Sequence, residues 1–313
     1  MRRFSRIVTL VFCLAPILFG QGPSQGPGTL PVLPRVDITV LVENLSGDTS
    51  LLGEWGLSFL IETDKHRVLL DTGGGRTLFE NARAMNVDLA RMDAVVISHG
   101  HFDHTGGLEK TLEACGPVDL FIHPIAFATR YFKEGSRIGK EDPMPVSGDR
   151  LRNLARGFHE TSRPAVVCEG LMVTGEIPRL TDFENTGLGN IFFLDSDLKT
   201  PDVMLDDQAV YFRVPEGVVI LLGCAHAGVI NTARYVSKLA GGEKIYAVMG
   251  GTHLMSASPQ RIQETIEALR QLGVQKILLS HCTGVNAYAE FAKAFPGRCA
   301  WPATGARIHF GGR

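Results

Sequence analysis

At 313 residues, with 44% hydrophobic and 20% charged side chains, the chain has a soluble globular composition and can bury a layered core. The formal net charge of -2 speaks against a broad nucleic-acid surface. Removing residues 1–20 would take Arg2, Arg3 and Arg6 from the 31 basic residues, leaving 28 against 33 acidic ones and strengthening that exclusion.

Residues 1–20 read as a targeting segment. Three arginines precede the apolar run Ile7 to Phe19, and Gly20 is a small residue at a cleavage position. The expectation is export to the periplasm or medium, with an uncleaved membrane anchor as the alternative; after processing no stable membrane span is expected. Residues 21–34 are rich in Gly and Pro and read as a flexible linker, and residues 35–313 as a single domain. Val36 to Val42 has strand composition, and Asn44 to Glu54 is polar enough for a rim. Ser58 to Glu62 and His66 to Leu70 form a predicted hairpin that runs into Asp71-Thr72-Gly73-Gly74-Gly75. Asp71 there supports a site, caps a helix over Arg76 to Met85, or does both.

The apolar run Ala94 to Ile97 predicts a buried strand, and it ends in Ser98-His99-Gly100-His101-Phe102-Asp103-His104-Thr105-Gly106-Gly107. Three histidines and an aspartate within six positions are natural ligands for zinc, iron or manganese. His99 and His101, two apart on extended backbone, can face one point, and Asp103 and His104 follow the turn. A helix over Leu108 to Ala114 and a strand over Val118 to Ile122 follow. His123, at that strand's end, reads as a hydrogen-bonded histidine rather than a ligand.

Residues 126–164 carry mixed charge and read as an excursion over the site. Phe127, Arg130, Tyr131, Phe132 and Lys133 there are either substrate contacts or packing. Val166 to Val173 resumes strand character, and the loop Gly175 to Arg179 offers Arg179, with Lys133, to an anionic substrate. Leu188 to Asp197 is mixed strand and turn. Asp206 to Phe212 and Val218 to Leu222 form a hairpin ending in Gly223-Cys224-Ala225-His226-Ala227-Gly228, with a helix from Asn231 to Leu239. Ile245 to Met249 ends in Gly250-Gly251-Thr252-His253-Leu254 before a helix over Ser258 to Leu272. Ile277 to Leu279 ends in Ser280-His281-Cys282-Thr283-Gly284, followed by a helix over Asn286 to Ala294 and a terminal strand over Gly305 to Phe310. Strand, ligand loop and helix thus recur in both halves. Histidines at four apolar strand ends are hard to explain by packing, and convergence on one centre explains them. Five cysteines remain after processing, so at least one is unpaired within the chain; a Cys115–Cys168 bridge is one expectation that nothing in the sequence fixes.

The motif His-x-His-x-Asp-His after an apolar strand resembles the signature of the metallo-beta-lactamase superfamily. The resemblance implies an α+β fold, a four-layered αββα sandwich, and two divalent ions, with zinc the first expectation and iron or manganese also suited. It implies His99, His101, Asp103, His104, His226 and His281 as ligands and Asp71 as the residue orienting the histidine loop. Cys224 stands where a bridging aspartate is usual, and Asp206 and Asp207 where a third histidine is usual. Whether Cys224, His226 or Asp207 completes the centre is open at this point, as is a plain buried thiol at Cys224. The segments Gly56-Leu57-Ser58, Leu70-Asp71-Thr72-Gly73, Asp206-Asp207-Gln208-Ala209, Gly223-Cys224-Ala225-His226, Gly250-Gly251-Thr252-His253-Leu254 and His281-Cys282-Thr283-Gly284 are similar to the dihydropteroate-synthase-like branch, related to the archaeal enzyme of methanopterin synthesis.

The leading expectation is a metal-dependent hydrolase of an ester, phosphodiester or related bond in a small molecule, with anionic molecules among the candidates. A hydroxide bridging the two ions would attack, Asp103 would orient it, and His253 would donate to the leaving oxygen. The alternatives are a pterin-related synthase forming a carbon–nitrogen bond and a non-catalytic periplasmic metal- or ligand-binding protein. Oligomeric state is not legible in the sequence.

Overall fold

The computed structural model describes residues 30–141, 144–184 and 191–312. The expected signal segment, residues 21–29 of the expected linker and the start of the stretch from Leu188 lie outside the described residues.

Two seven-stranded sheets form the body. The first has the strand order Arg307–Gly311, Arg35–Val42, Ser58–Glu62, Arg67–Leu70, Ala94–Val96, Asp119–Ile122, Gly157–Glu160. The second has the order Cys299–Ala300, Lys276–Leu279, Ile245–Gly250, Gly217–Leu222, Ala209–Val214, Leu171–Val173, Ala165–Cys168. In each, an antiparallel hairpin feeds a run of parallel strands. Ser58–Glu62 and Arg67–Leu70 pair antiparallel before the parallel strands starting with Ala94–Val96, and Ala209–Val214 and Gly217–Leu222 do the same before Ile245–Gly250.

Strand periodicity of two sorts the core into layers. Val36, Ile38, Phe59, Ile61, Val68 and Leu70 point inward against Val210, Phe212, Val219, Leu221 and Met249 of the other sheet. Leu41, Leu60, Leu69, Val95 and Ile97 point outward, under helices that include Leu78–Ala84, Leu108–Cys115 and Gly148–Leu154. Ile220, Leu222, Val248, Ile277 and Leu279 pack under Val229–Leu239, Pro259–Gln271 and Val285–Ala294. Both sheets therefore bury both faces, which is why their strands read as unbroken apolar runs. The result is a four-layered αββα sandwich, as the sequence led us to expect. Helix ends follow local chemistry: Ser258 accepts the Arg261 N–H, and Pro259 occupies the first turn, where its missing donor does no harm.

Four expectations need correction. Residues 30–34 are not free linker: Leu30 is buried under the second sheet's helices, and Leu33 N–H donates to Arg213 O at 2.8 Å. The stretch 126–164 is only partly an excursion. Its hairpin Arg130–Glu134 and Arg137–Glu141 pairs with Phe192–Phe193 in a small third sheet, whereas Gly157–Glu160 is the edge strand of the first sheet. Val166 to Val173 is two strands turned at Gly170. Cys115 and Cys168 are both free, because one lies under the helices of the first sheet and the other packs against the layer between the sheets.

Phe212 is fully buried in that inner layer, edge-on to Phe310 at 6.0 Å between ring centroids. Phe212→Ala should cost about 3–5 kcal/mol of stability. Urea unfolding would measure it, and a loss below roughly 1 kcal/mol would contradict a close-packed inner layer.

Candidate metal centre

The parallel strands of both sheets end at one edge, and the turns that carry His99, His101, His104, His226, His253 and His281 lie there. The turns are held in unusual backbone conformations. Asp71, Ala225, His253 and His281 have φ of +60°, +53°, +48° and +53°. For residues other than glycine this region costs of order 1–3 kcal/mol each and persists only where neighbours enforce it. The two sheets approach closely at this edge: a Cβ on Gly223 would collide with the Ser98 hydroxyl.

Two ligand groups result. In the first, His99 Nε2 lies 3.1 Å from His101 Nδ1 and 3.2 Å from His226 Nε2. In the second, Asp103, His104 and His281 converge, with His281 Nε2 at 3.2 Å and His104 Nε2 at 3.7 Å from Asp103 Oδ2. Cys224 Sγ lies 3.3 Å from His104 Nε2 and forms a further group with His99 and His104, so it sits between the two sets.

The outer nitrogens are tied down. Asp71 Oδ2 meets His104 Nδ1 at 2.7 Å while its two oxygens also accept the Ser98 N–H and hydroxyl, both at 2.7 Å. Asp71 therefore aims His104 Nε2 into the centre; it does not cap the following helix, whose cap position is Thr77. Ser98 Oγ meets His99 Nδ1 at 3.0 Å, and Asn44 Oδ1 meets His281 Nδ1 at 3.0 Å. Glu43, fully buried, accepts the His281 N–H at 2.7 Å.

This arrangement fits metal ions. A proton on His99 Nε2 satisfies one of its two nitrogen neighbours and leaves the other facing a lone pair. A tetrahedral zinc with bonds of about 2.0–2.1 Å sets its nitrogen ligands roughly 3.3 Å apart, close to what is found. His101 Nε2 and His281 Nε2 are buried and make no hydrogen bond among the described residues. Burial, then the neighbouring imidazoles, push His99 and His226 well below the ordinary histidine range; burial brings His101 to about 4. All three are thus neutral and ready to ligate near pH 7. Burial also opposes charge on His104, but Asp103 and Asp71 outweigh it and raise this imidazole to about 9. Burial drives the Cys224 thiol well above its ordinary value.

The remaining expected site residues divide. Asp207 Oδ2 accepts the Ala227 N–H at 2.9 Å and so holds the Cys224–His226 turn from behind; burial raises its carboxyl to about 6. His253 packs tilted against His226, with ring centroids 4.4 Å apart. Arg179 is exposed and spends one guanidinium nitrogen on the carbonyls of Val203 and Met204. Lys133 is exposed on the hairpin, and among the described residues no contact links its ammonium to the histidines. His123 is buried, 3.2 Å from Glu176, and bonded to the Ile125 N–H. Phe127 packs on Phe158 and the helical layer.

Arg130, expected as a substrate contact or as packing, is instead a fully buried ion-pair hub. Its Nε reaches Asp202 at 2.5 Å and its Nη2 reaches both oxygens of Asp206 at 3.0 Å. Asp206 in turn accepts the Gly100 N–H at 2.7 Å, fixing the turn between His99 and His101. Sequence reasoning also missed Glu43, Asn44 and Trp55; the half-exposed Trp55 ring lies 4.9 Å from that of His281 at the mouth. The acidic pair Asp206-Asp207 just before a strand was the available signal for the buried Arg130.

A model of the metallo-beta-lactamase superfamily matches residues 53–281. The chain is 30% identical over 270 residues to a 7,8-dihydropterin-6-methyl-4-(beta-D-ribofuranosyl)-aminobenzene-5'-phosphate synthase of Methanocaldococcus jannaschii, covering 83% of this chain and 92% of that protein. An uncharacterized protein of the same organism is 29% identical over 261 residues, covering 82% of this chain and 94% of its own length. Among solved structures, Tm1679, described as a metal-dependent hydrolase of the beta-lactamase superfamily, superposes with a TM-score of 0.72 at 25% identity, over 88% of this chain and all of that one.

Two outcomes follow from the site. Because His104 is raised to about 9, the metal-free protein carries its proton at pH 7, and a metal taking Nε2 must displace it. With His104 alone deprotonating, metal affinity should rise about tenfold per pH unit from pH 7 towards 9 and flatten above, with about one proton released per chain at pH 7; with Cys224 also binding as thiolate the rise should be about a hundredfold per unit, with about two protons released, and should continue at about tenfold per unit above pH 9. Calorimetry in buffers of different ionisation enthalpy counts them; a pH-independent affinity would contradict the assignment. Arg130→Met strands Asp202 and Asp206 without a counter-charge and should cost about 3–5 kcal/mol, read by chemical denaturation.

Proposed function

The chain belongs to the metallo-beta-lactamase superfamily, and from that premise we propose that it is a metal-dependent hydrolase of an ester, phosphodiester or related bond in a small anionic molecule. The observation that carries this reading is the meeting of two histidine groups at Cys224 under one mouth. His99, His101 and His226 would hold one divalent ion, and Asp103, His104 and His281 would hold a second, with Cys224 available to either group. Zinc suits the nitrogen, oxygen and sulfur donors best, and iron or manganese are also suited. Such ions supply a water acidified to near neutral pH and a Lewis acid for the substrate oxygen.

The chain's own residues do the rest. Asp71 keeps the His104 ring in one orientation, and Asp206 with Arg130 keeps the Gly100 turn in place. Asp103 accepts hydrogen bonds at the reacting face as well as ligating. His253, beside His226 at the rim, donates a proton to the leaving oxygen. Trp55 and Phe102, both exposed, line the mouth with apolar surface that holds a substrate and sheds water. Lys133 and Arg179, both exposed, remain the cations available to an anionic substrate. Arg2, Arg3 and Arg6 before the apolar run Ile7 to Phe19 support a reading in which the protein is exported from the cytoplasm.

A second reading is a pterin-related synthase forming a carbon–nitrogen bond. It is favoured by the 30% identity to the M. jannaschii synthase across most of both chains. Zinc- or manganese-loaded protein should turn over at least one member of a panel of esters, lactones, lactams and phosphodiesters. Silence across that panel removes the hydrolase reading, and flat isotherms with pterin and aminobenzoate ligands remove the synthase one.

Two substitutions separate the roles. His101→Ala should lose metal and activity together. His253→Ala should keep about two metals per chain while turnover falls roughly 10²–10⁴-fold. Elemental analysis beside rates reads both, and a His253→Ala protein short of one of those two metals would overturn the donor role.

A further inference from the structure

A softer donor set adjoins the two groups that the hydrolase reading uses. Cys224 Sγ, a ring nitrogen of His253 and Cys282 Sγ all lie within 4.8 Å of one another. They come from the ends of three consecutive parallel strands, Gly217–Leu222, Ile245–Gly250 and Lys276–Leu279.

The set is built rather than incidental. The His253 N–H donates to Cys282 Sγ at 3.3 Å, and Cys282 Sγ reaches Cys224 O at 3.7 Å. Gly251 leaves the room: a Cβ there would sit 2.6 Å from Cys282 Sγ. His253 itself, Ala225 beside Cys224, and His281 beside Cys282 all have positive φ, so strained backbone presents each member. Both thiols are buried and neither is in a disulfide. His253 Nδ1 is buried with no hydrogen-bond partner among the described residues. Packing alone does not require two thiols and an unpaired imidazole nitrogen to converge at the end of strained loops.

We propose that Cys224, His253 and Cys282 form a third metal site, one that prefers thiophilic ions such as cadmium or copper(I). Two thiolates and one imidazole are the donor class those ions favour over carboxylate-rich sites. On binding, each sulfur that carries a proton releases it to solvent, and two metal–sulfur bonds and one metal–nitrogen bond form. The site shares Cys224 with the neighbouring groups, and an ion held in it occupies His253. A thiophilic ion there therefore withdraws His253 from the substrate and acts as an inhibitor. The binding claim rests on this donor set alone; the inhibition rests on the role proposed for His253.

The test is a cadmium titration of the metal-free full chain under reducing conditions, read by ultraviolet thiolate-to-cadmium absorption and by cadmium per chain. Wild type should bind one more cadmium than Cys282→Ser, and Cys282→Ser should lose at least about half of the absorption. His253→Gln should weaken the absorbing site roughly tenfold or more. The double variant His99→Ala, His101→Ala should keep the absorption while losing cadmium from the nitrogen group, which separates this site from the hydrolase centre. Equal stoichiometry and absorption in wild type and Cys282→Ser would overturn the proposal. Where circular dichroism shows Cys282→Ser unfolded, an unchanged titration of His253→Gln overturns it instead.

Discussion

Neutral imidazole nitrogens turned towards one another repel, and three of them cannot be satisfied by one proton. His99 Nε2 faces two such neighbours at 3.1 and 3.2 Å in a fully buried position. The surrounding structure depends on holding this unfavourable cluster in place until a cation compensates it. The hydrogen bonds that do so all approach from behind the rings. Ser98 takes His99, Asp71 takes His104 and Asn44 takes His281, leaving one nitrogen of each ring for the centre.

The supports come from both sheets, which makes the centre a product of their packing. Gln208, at the start of a second-sheet strand, donates its N–H to Ser98 O and its side-chain amide to Ile97 O. Asp206, next to it, grips the Gly100 N–H from the same side. Arg130 neutralises Asp206 and Asp202 inside the protein, so these carboxylates can serve as acceptors without being stranded. The small third sheet, which carries Arg130, is thereby connected to the ligand turn that it covers.

The same edge of the sandwich is strained and, at its rim, apolar. Non-glycine residues in left-handed conformations recur in the ligand turns, while Trp55 and Phe102 leave large apolar faces uncovered at the mouth. A protein selected for stability alone would relax both. Their concentration around a preformed donor cluster is the signature of a site whose geometry is maintained by the inner core of Phe59, Phe212, Val219 and their neighbours.

The sequence by itself determined the strand ends that carry ligands, because apolar runs and the glycine–histidine turns after them are local patterns. The positions of His99, His101, Asp103, His104, His226 and His281 at strand ends were legible in this way, whereas the sandwich that brings parallel strand ends to one edge was implied by the family resemblance that those motifs carry. Tertiary structure alone decided the pairings. It put His226 rather than Asp206 or Asp207 beside His99 and His101, turned Arg130 inward, joined Glu43 and Asn44 to His281 across more than 230 residues of chain, and set His253 with two sulfurs. The physical reason is directional. A ligand's position along its strand is encoded by period and spacing, but which nitrogen or oxygen meets which partner depends on side-chain rotamers and on the approach of distant backbone, and neither is written in the local pattern.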